Sequence, residues 1–273
     1  MSTLDLRGQV VWITGASGGI GEALALQAAQ AGACLVLSAR RAEALARVQA
    51  ACPDPARVAL LPLDLTDFDA EAAYTAACLP FGTITLLVNN AGISQRSLLV
   101  DTRMSTYRTL FELDFFAVVA LTQVVVPAMR ARGHGHVVTI SSVTGKVAVP
   151  LRTGYSAAKH AVQGFMDAAR AELQRDGIHF TTVCPGFVRT DISYNAITGD
   201  GGRHNQMDSG QANGISAEAC ARQVWRAVQR RQAEVLIGRE GWAVLLQRLA
   251  PGLLRRVLCR LPLTRFQNST SNS

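Results

Sequence analysis

Three residues in the middle of the chain, Ser142, Tyr155 and Lys159, have the types and spacing to act together on one carbonyl group. Tyr155 and Lys159 frame Tyr-Ser-Ala-Ala-Lys, which reads as helix, so the spacing predicts one shared face a single turn apart. Ser142 ends the strand-like run from His136, thirteen residues before the tyrosine. A free phenol titrates near ~10, too weak an acid for easy turnover at neutral pH. A neighbouring ammonium stabilises the phenolate and brings that value towards the working range. A serine hydroxyl can donate a hydrogen bond to the same substrate oxygen.

The lysine is informative because the chain hardly uses lysine. Of 27 Lys and Arg residues, only Lys146 and Lys159 are lysines. Lysine is a compact cation that exchanges protons readily, and arginine does not. Alone, the spacing reads equally well as a solvated helix face.

The N-terminus tips that balance. An apolar strand, Gln9–Ile13, runs into Thr14-Gly-Ala-Ser-Gly-Gly-Ile-Gly21, followed by a helical pattern through Ala31 and a second strand, Cys34–Ser38. Strand, glycine turn and helix start together make a phosphate cradle. The glycines admit a pyrophosphate to the backbone, and free N–H groups with the helix dipole meet its charge. Inside a complete strand–helix–strand unit this signal is strong.

With these residues in view, the chain resembles the short-chain dehydrogenase/reductase family. The matching motifs are Thr14-Gly15 with Gly19 and Gly21, Asp64-Leu65, Asn89-Asn-Ala-Gly92, Ser142, Tyr155 with Lys159, and Pro185-Gly186 with Thr190. They fall in family order over roughly residues 8–240. The resemblance implies one Rossmann-type α/β domain, a doubly wound parallel sheet of about seven strands with helices on both faces. It implies hydride transfer at a carbonyl or secondary alcohol, with Tyr155 as acid/base, Lys159 supporting it and binding ribose, and Ser142 positioning the substrate oxygen. The cofactor contacts it implies are Gly15, Ser17, Gly19, Ile20, Gly21, Asp64, Leu65, Asn90, Ala91, Gly92, Tyr155, Lys159, Pro185, Gly186, Val188 and Thr190.

Charge argues for NADP(H). A Rossmann unit selective for NAD usually ends its second strand with an acid for the ribose 2′-hydroxyl, whereas an arginine suits a 2′-phosphate. Here that strand ends Ser38-Ala39-Arg40-Arg41, making Arg40 the expected phosphate partner and Arg41 a second. The alternative is that both arginines merely open the solvated helix Ala42–Ala51.

One position departs from the family pattern. Within the predicted helix Thr106–Met129, Asp114 stands eight residues before Thr122, where family members commonly carry asparagine and hold a water beside the lysine. A carboxylate accepts hydrogen bonds but cannot donate as an amide does, so the proton relay is the expected point of difference. This leaves a second reading open, a protein that binds NADP(H) as a sensor or scaffold with little turnover.

Composition agrees with one well-buried domain: 273 residues, 49% hydrophobic and 17% charged. Seven strands are predicted near 9–13, 33–38, 58–62, 84–88, 136–141, 178–184 and 234–238, with helices between them. The six cysteines form no C-x-x-C pair or regular framework, which fits a reducing, cytoplasmic setting. His134 and His136 lack acidic or thiol neighbours in sequence, so no metal site is expected. No aromatic platform or groove-reading motif accompanies the basic charge, so nucleic acid is not an expected partner. The apolar faces of Thr106–Met129 and Gly154–Arg175 resemble those that build dimers or tetramers in this family, or else they belong to the core.

Two further segments carry expectations. Arg189–Gly214, rich in Gly, Asp and Asn, follows the sheet's carboxyl edge and reads as a mobile substrate lid. Its sequence resembles the member-7 subgroup of the dehydrogenase/reductases, implying a lipophilic carbonyl or alcohol such as a steroid, a retinoid or an acylated dihydroxyacetone compound. The chain is strongly basic from Arg222 onward, with ten arginines and two acids, and the extension 241–273 follows the catalytic domain (1–240). Leucines at helical spacing between Pro251 and Pro262 face away from arginines. The segment 250–266 therefore reads either as a peripheral membrane contact or as a tail packed on protein. Asn268–Ser273 is polar and reads as frayed.

Overall fold

The computed structural model describes residues 4–260 and Leu263. The sheet begins with β1 (Val10–Thr14), which continues through the glycine turn into α1 (Gly19–Gln30). Next come β2 (Cys34–Ala39), α2 (Ala42–Ala50), β3 (Val58–Pro62), α3 (Ala70–Cys78) and β4 (Leu86–Asn89). The second half contains α4 (Met104–Phe111), α5 (Ala117–Arg132), β5 (Gly135–Ile140), α6 (Thr153–Leu173) and β6 (Ile178–Pro185). After β6 lie the short β7 (Val188–Arg189), α7 (Ser209–Ala212) and β8 (Ile215–Ser216), then α8 (Ala217–Gln229) and β9 (Glu234–Ile237). Two helices, α9 (Gly241–Leu249) and α10 (Pro251–Arg260), close the described chain.

Seven strands form one sheet in the order β3-β2-β1-β4-β5-β6-β9. Every pair in it is parallel. All seven predicted strands are present, shifted by at most a few residues. Because β1 lies between β2 and β4, the winding reverses there and opens a crevice at the strands' carboxyl ends.

The alternation within β1 sorts the two cores. Val11 and Ile13 join Leu24, Leu37, Val224 and Trp225 on one face of the sheet. Val10 and Trp12 join Leu87, Leu121, Val137, Met166 and Phe180 on the other. Each fully buried aliphatic or aromatic side chain contributes about 1.5–3 kcal/mol against exposure. The one polar atom that Trp12 takes into this core, its indole N–H, donates to Ser38 Oγ at 2.9 Å.

The predicted helix Thr106–Met129 runs from Met104 to Arg132, and residues Glu112–Phe116 within it form a π-helical turn. By length and composition this helix could cross a membrane. In the fold its buried positions Leu110, Val118, Leu121, Val125 and Met129 are core residues instead.

One expectation needs correction, and one pair of alternatives is partly decided. Arg189–Gly214 is no free lid: Ser193, Ala196, Asp208 and Gln211 are buried, and Ile197 bridges to Gln95. The abundance of Gly, Asp and Asn here serves tight turns and side-chain bonds. The C-terminal leucines also divide. Leu254 is buried with Val244 against Val143 and Val147, and Leu258 packs on that cluster, while Leu253 and Val257 face outward. The parts of 250–266 and Asn268–Ser273 that follow Leu263 lie outside the described residues.

Candidate active site

Three elements deliver the catalytic candidates to the carboxyl edge of the sheet. Strand β5 ends beside Ser142, whose extended backbone lets its Oγ accept the Thr144 N–H at 3.1 Å and cap the turn Val143–Gly145. That turn is tied to α6, where Gln163 Nε2 donates to Ser141 Oγ at 2.9 Å and to the Ser142 carbonyl at 3.3 Å. On α6, Tyr155 and Lys159 share a face as their spacing predicts, and the ammonium lies 5.7 Å from the centre of the phenol ring.

Asp114 completes the group from the π turn. Widening one helical turn rotates this position inward, and the side chain is fully buried. Its Oδ1 accepts the Ile93 N–H at 3.1 Å and sits 3.4 Å from Lys159 Nζ. Lys159 also donates to the Ile140 carbonyl at 3.2 Å. Burial pushes the Asp114 carboxyl up to about 6, against the pull of Lys159 and the Ile93 N–H. Burial acts to lower the Lys159 value, but Asp114 and Tyr155 outweigh it and hold the ammonium above its usual range. Asp114 Oδ2 is buried with no protein partner. The close approach depends on Gly92, where a Cβ would lie 2.6 Å from Asp114 Oδ1 and 3.3 Å from Lys159 Nζ.

The glycine loop meets the requirements of a dinucleotide cradle. Gly15 (φ 63°) and Gly19 (φ 58°) occupy the left-handed region that favours glycine. A Cβ at Gly15 would lie 2.8 Å from Ala91 Cα, and one at Gly21 would strike the Gly15 carbonyl oxygen. No side chain caps the start of α1, which leaves its first N–H groups for a ligand. The adjoining loop is braced by Thr14 Oγ1, which accepts the N–H of Asn90 at 3.0 Å and of Ala91 at 3.1 Å.

The remaining sequence candidates border this crevice. Ser17 and Ile20 belong to the glycine turn and the first turn of α1. The Thr190 methyl would lie 3.0 Å from a Cβ at Gly19, so the residues after Pro185-Gly186-Phe187-Val188 reach the phosphate loop. Arg40 and Arg41 are exposed where β2 ends, next to Ala39. Asp64 is exposed beside buried Leu65. Its carboxylate accepts the Thr66 N–H at 3.0 Å and hydroxyl at 2.8 Å, bonds that hold it below the usual carboxylate range, with Arg40 adding to the effect. His136 is instead buried in β5, its Nε2 2.8 Å from Thr181 Oγ1.

Three important residues gave no signal in the sequence. Gln95 is fully buried, and its Oε1 accepts the N–H of Gly154 at 2.7 Å and of Tyr155 at 3.3 Å, capping a helix that has no cap of its own. Asp208 receives Arg96 in a two-pronged ion pair and Arg152 Nη2 at 3.1 Å, linking the segment 189–214 to both sides of the site. Glu240 Oε2 accepts the Phe187 N–H at 3.3 Å and packs against Gly186. Each acts across many residues of sequence, beyond the reach of any local pattern.

The comparisons agree with this geometry. The family model described as short chain dehydrogenase matches residues 9–200. Dehydrogenase/reductase SDR family member 7B of Mus musculus is 39% identical over 261 residues, covering 93% of this chain and 81% of that protein. Member 7 of Homo sapiens is 43% identical over 225 residues, covering 80% and 66% respectively. A solved short-chain dehydrogenase from Streptomyces avermitilis superposes with a TM-score of 0.77 at 29% identity, covering 95% of this chain and 97% of that one. A second structure, from Burkholderia phymatum in complex with NAD, shares the fold with a TM-score of 0.76 at 24% identity. A sheet of this order, a glycine cradle at its switch point and a Tyr155–Lys159 pair at its carboxyl edge thus coincide with the sequence match. The chain belongs to the short-chain dehydrogenase family, with the Rossmann α/β fold and the oxidoreductase class of chemistry that go with it.

Proposed function

We propose that the protein is an NADP(H)-dependent oxidoreductase that interconverts a carbonyl and a secondary alcohol, working mainly as a reductase of a lipophilic substrate. The observation that carries this reading is the charged Lys159 held 5.7 Å from the Tyr155 ring by a buried carboxylate. Such a cation is placed to meet the negative charge that develops as Tyr155 gives up its proton. A nicotinamide dinucleotide, when bound, would supply the hydride. As negative charge develops on the substrate oxygen, Tyr155 gives up its proton to it. Ser142 keeps its hydroxyl hydrogen free for the same oxygen, because its Oγ acts as acceptor towards Thr144. Asp114 fixes Lys159 and sets its charge.

Support for NADP(H) comes from Ala39 in place of an acid and from exposed Arg40 and Arg41 beside it. In this reading the glycine turn and Gly92 approach the pyrophosphate and nicotinamide side, Asp64 and Leu65 serve the adenine side, and Pro185 to Thr190 close over the cofactor. A lipophilic substrate is favoured by Tyr194 and Met207, large side chains left exposed on the segment docked over the site. The exposed ring of Phe116, with Phe115 and Phe165 in edge contact at 6.4 Å, favours a homodimer or homotetramer through α5 and α6. A peripheral lipid contact of the C-terminal segment belongs to the same reading.

The competing function, a dinucleotide sensor, differs in turnover. A steady-state screen of lipophilic ketones and aldehydes with NADPH and with NADH separates the two. NADPH-preferring turnover of at least one carbonyl supports the reductase. Tight NADPH binding with no consumption across the panel supports the sensor.

A further inference from the structure

Helices α9 and α10 pack together and each leave large apolar side chains exposed. Trp242, Leu245 and Leu249 follow one another at three- and four-residue spacing on α9, with Trp242 64% and Leu249 76% exposed. Leu253 and Val257 continue the row on α10, which packs against α9. The inward rows already satisfy the fold, since Val244 and Leu254 are each only 2% exposed beneath the helices. The outward apolar row has no such partner among the described residues. It is flanked by exposed Arg239, Arg248, Arg255, Arg256 and Arg260. Between residues 239 and 260 the one acid is Glu240, turned towards the Phe187 N–H, and Glu234 on β9 pairs with Arg248 at 3.2 Å, leaving Arg239, Arg255, Arg256 and Arg260 as the main cationic flank.

Charge decides which occupant fits. A second copy seated symmetrically would bring these arginines against their own image, with like charges facing across a low-dielectric contact. Residues 264–273 of the sequence are polar apart from Phe266. A bilayer with anionic headgroups meets both features together. The Trp and Leu side chains enter the headgroup–acyl boundary while the guanidiniums reach the phosphates and carboxylates above it.

We propose that the α9–α10 surface is a docking site for an anionic lipid bilayer, with Trp242, Leu245, Leu249, Leu253 and Val257 as its buried face. This moves the contact from the leucines at 254 and 258 to a row that begins on α9. The docked helices adjoin the reaction centre: Val143, next to Ser142, packs under them, and Glu240 at the head of α9 holds the backbone after Gly186. A lipophilic carbonyl leaving the bilayer therefore arrives beside the site. That last step rests on the proposed function, whereas docking itself does not.

Trp242 supplies a reporter, because Trp12 and Trp225 are buried. The full chain is mixed with vesicles of phosphatidylcholine alone and of phosphatidylcholine with phosphatidylserine, some carrying brominated acyl chains. The expected result is co-sedimentation with the anionic vesicles, a blue shift of tryptophan emission and quenching by the brominated chains. Leu245→Ser with Leu249→Ser should weaken binding at least about tenfold, and Arg255→Ser with Arg256→Ser should remove most of the preference for phosphatidylserine. NADPH affinity, measured alongside, should be unchanged in both variants and reports that they remain folded. Unshifted emission with anionic vesicles, or equal binding to both vesicle types, overturns the proposal. So does a dimer that Leu245→Ser with Leu249→Ser dissolves while vesicle binding is absent. Vesicle binding by a protein without carbonyl turnover would instead refute the proposed reductase and leave the docking site standing.

Discussion

Asp114 and Lys159 form an ion pair sealed from solvent, with Oδ1 3.4 Å from Nζ. The carboxylate therefore acts twice. It keeps the lysine charged, and it offsets part of the field that the lysine exerts on Tyr155.

This pair predicts a distinctive pH dependence. The Asp114 carboxyl, raised to about 6, takes a proton as pH falls through that value, and Lys159 loses its counter-charge. Asp114→Asn should remove the inflection near pH 6 from the kcat/KM profile. The sign for stability is the reverse of a surface carboxylate. A folded value above the unfolded 3.8 means that the native state binds the extra proton, so stability drops as pH rises between about 4 and 6. Thermal melts across that window should slope less in Asp114→Asn.

Asp208 balances two guanidiniums, so its loss leaves buried cations uncompensated. Asp208→Asn should cost roughly 3–5 kcal/mol and lower the melting temperature by roughly 6–20 °C. Arg152 is sensitive to this change because burial, and then Arg96, already lower its value to about 10. Differential scanning fluorimetry at neutral pH checks the prediction.

Gln95 should act through Tyr155 and not through the cofactor. In Gln95→Leu the N–H groups of Gly154 and Tyr155 lose their acceptor, at about 1–3 kcal/mol each if they stay dry. The expected signature is a kcat lowered about tenfold or more with NADPH affinity retained. Gln95→Glu keeps the acceptor oxygen and should recover much of the lost rate.

Cofactor preference should be reversible at the end of β2. Ala39→Asp places a carboxylate where a 2′-phosphate is proposed to sit, and Arg40→Ala removes the proposed phosphate partner. Either change should weaken NADPH binding by about tenfold or more, one charge-assisted contact of about 1.5–3 kcal/mol. Ala39→Asp should also strengthen NADH. Equilibrium fluorescence titrations with both dinucleotides read the effect.

Local patterns made much of this molecule legible in advance. Strand alternation marked all seven strands, and the glycines between Gly15 and Gly21 marked the cradle, because both depend on neighbours in sequence. The Tyr155–Lys159 face followed from helical spacing alone. What escaped was set by distant contacts. A π turn of five residues is too short to disturb an apolar helix pattern, yet it decides where Asp114 points. Polar residues between 189 and 214 resembled a loose loop because their partners, Gln95, Arg96 and Arg152, lie far away in sequence. The C-terminal leucines matched one amphipathic pattern, but packing on Val143 and Val147 divided them between two faces.

The central claim is that Tyr155 delivers the proton for carbonyl reduction. Its most direct test is single-turnover oxidation of enzyme-bound NADPH by a reactive ketone, followed by absorbance for wild type and Tyr155→Phe. The expected result is a fast absorbance decay in the wild type and a rate lowered by about 10²–10⁴ in the variant, which still binds NADPH. Equal rates in the two proteins would contradict it.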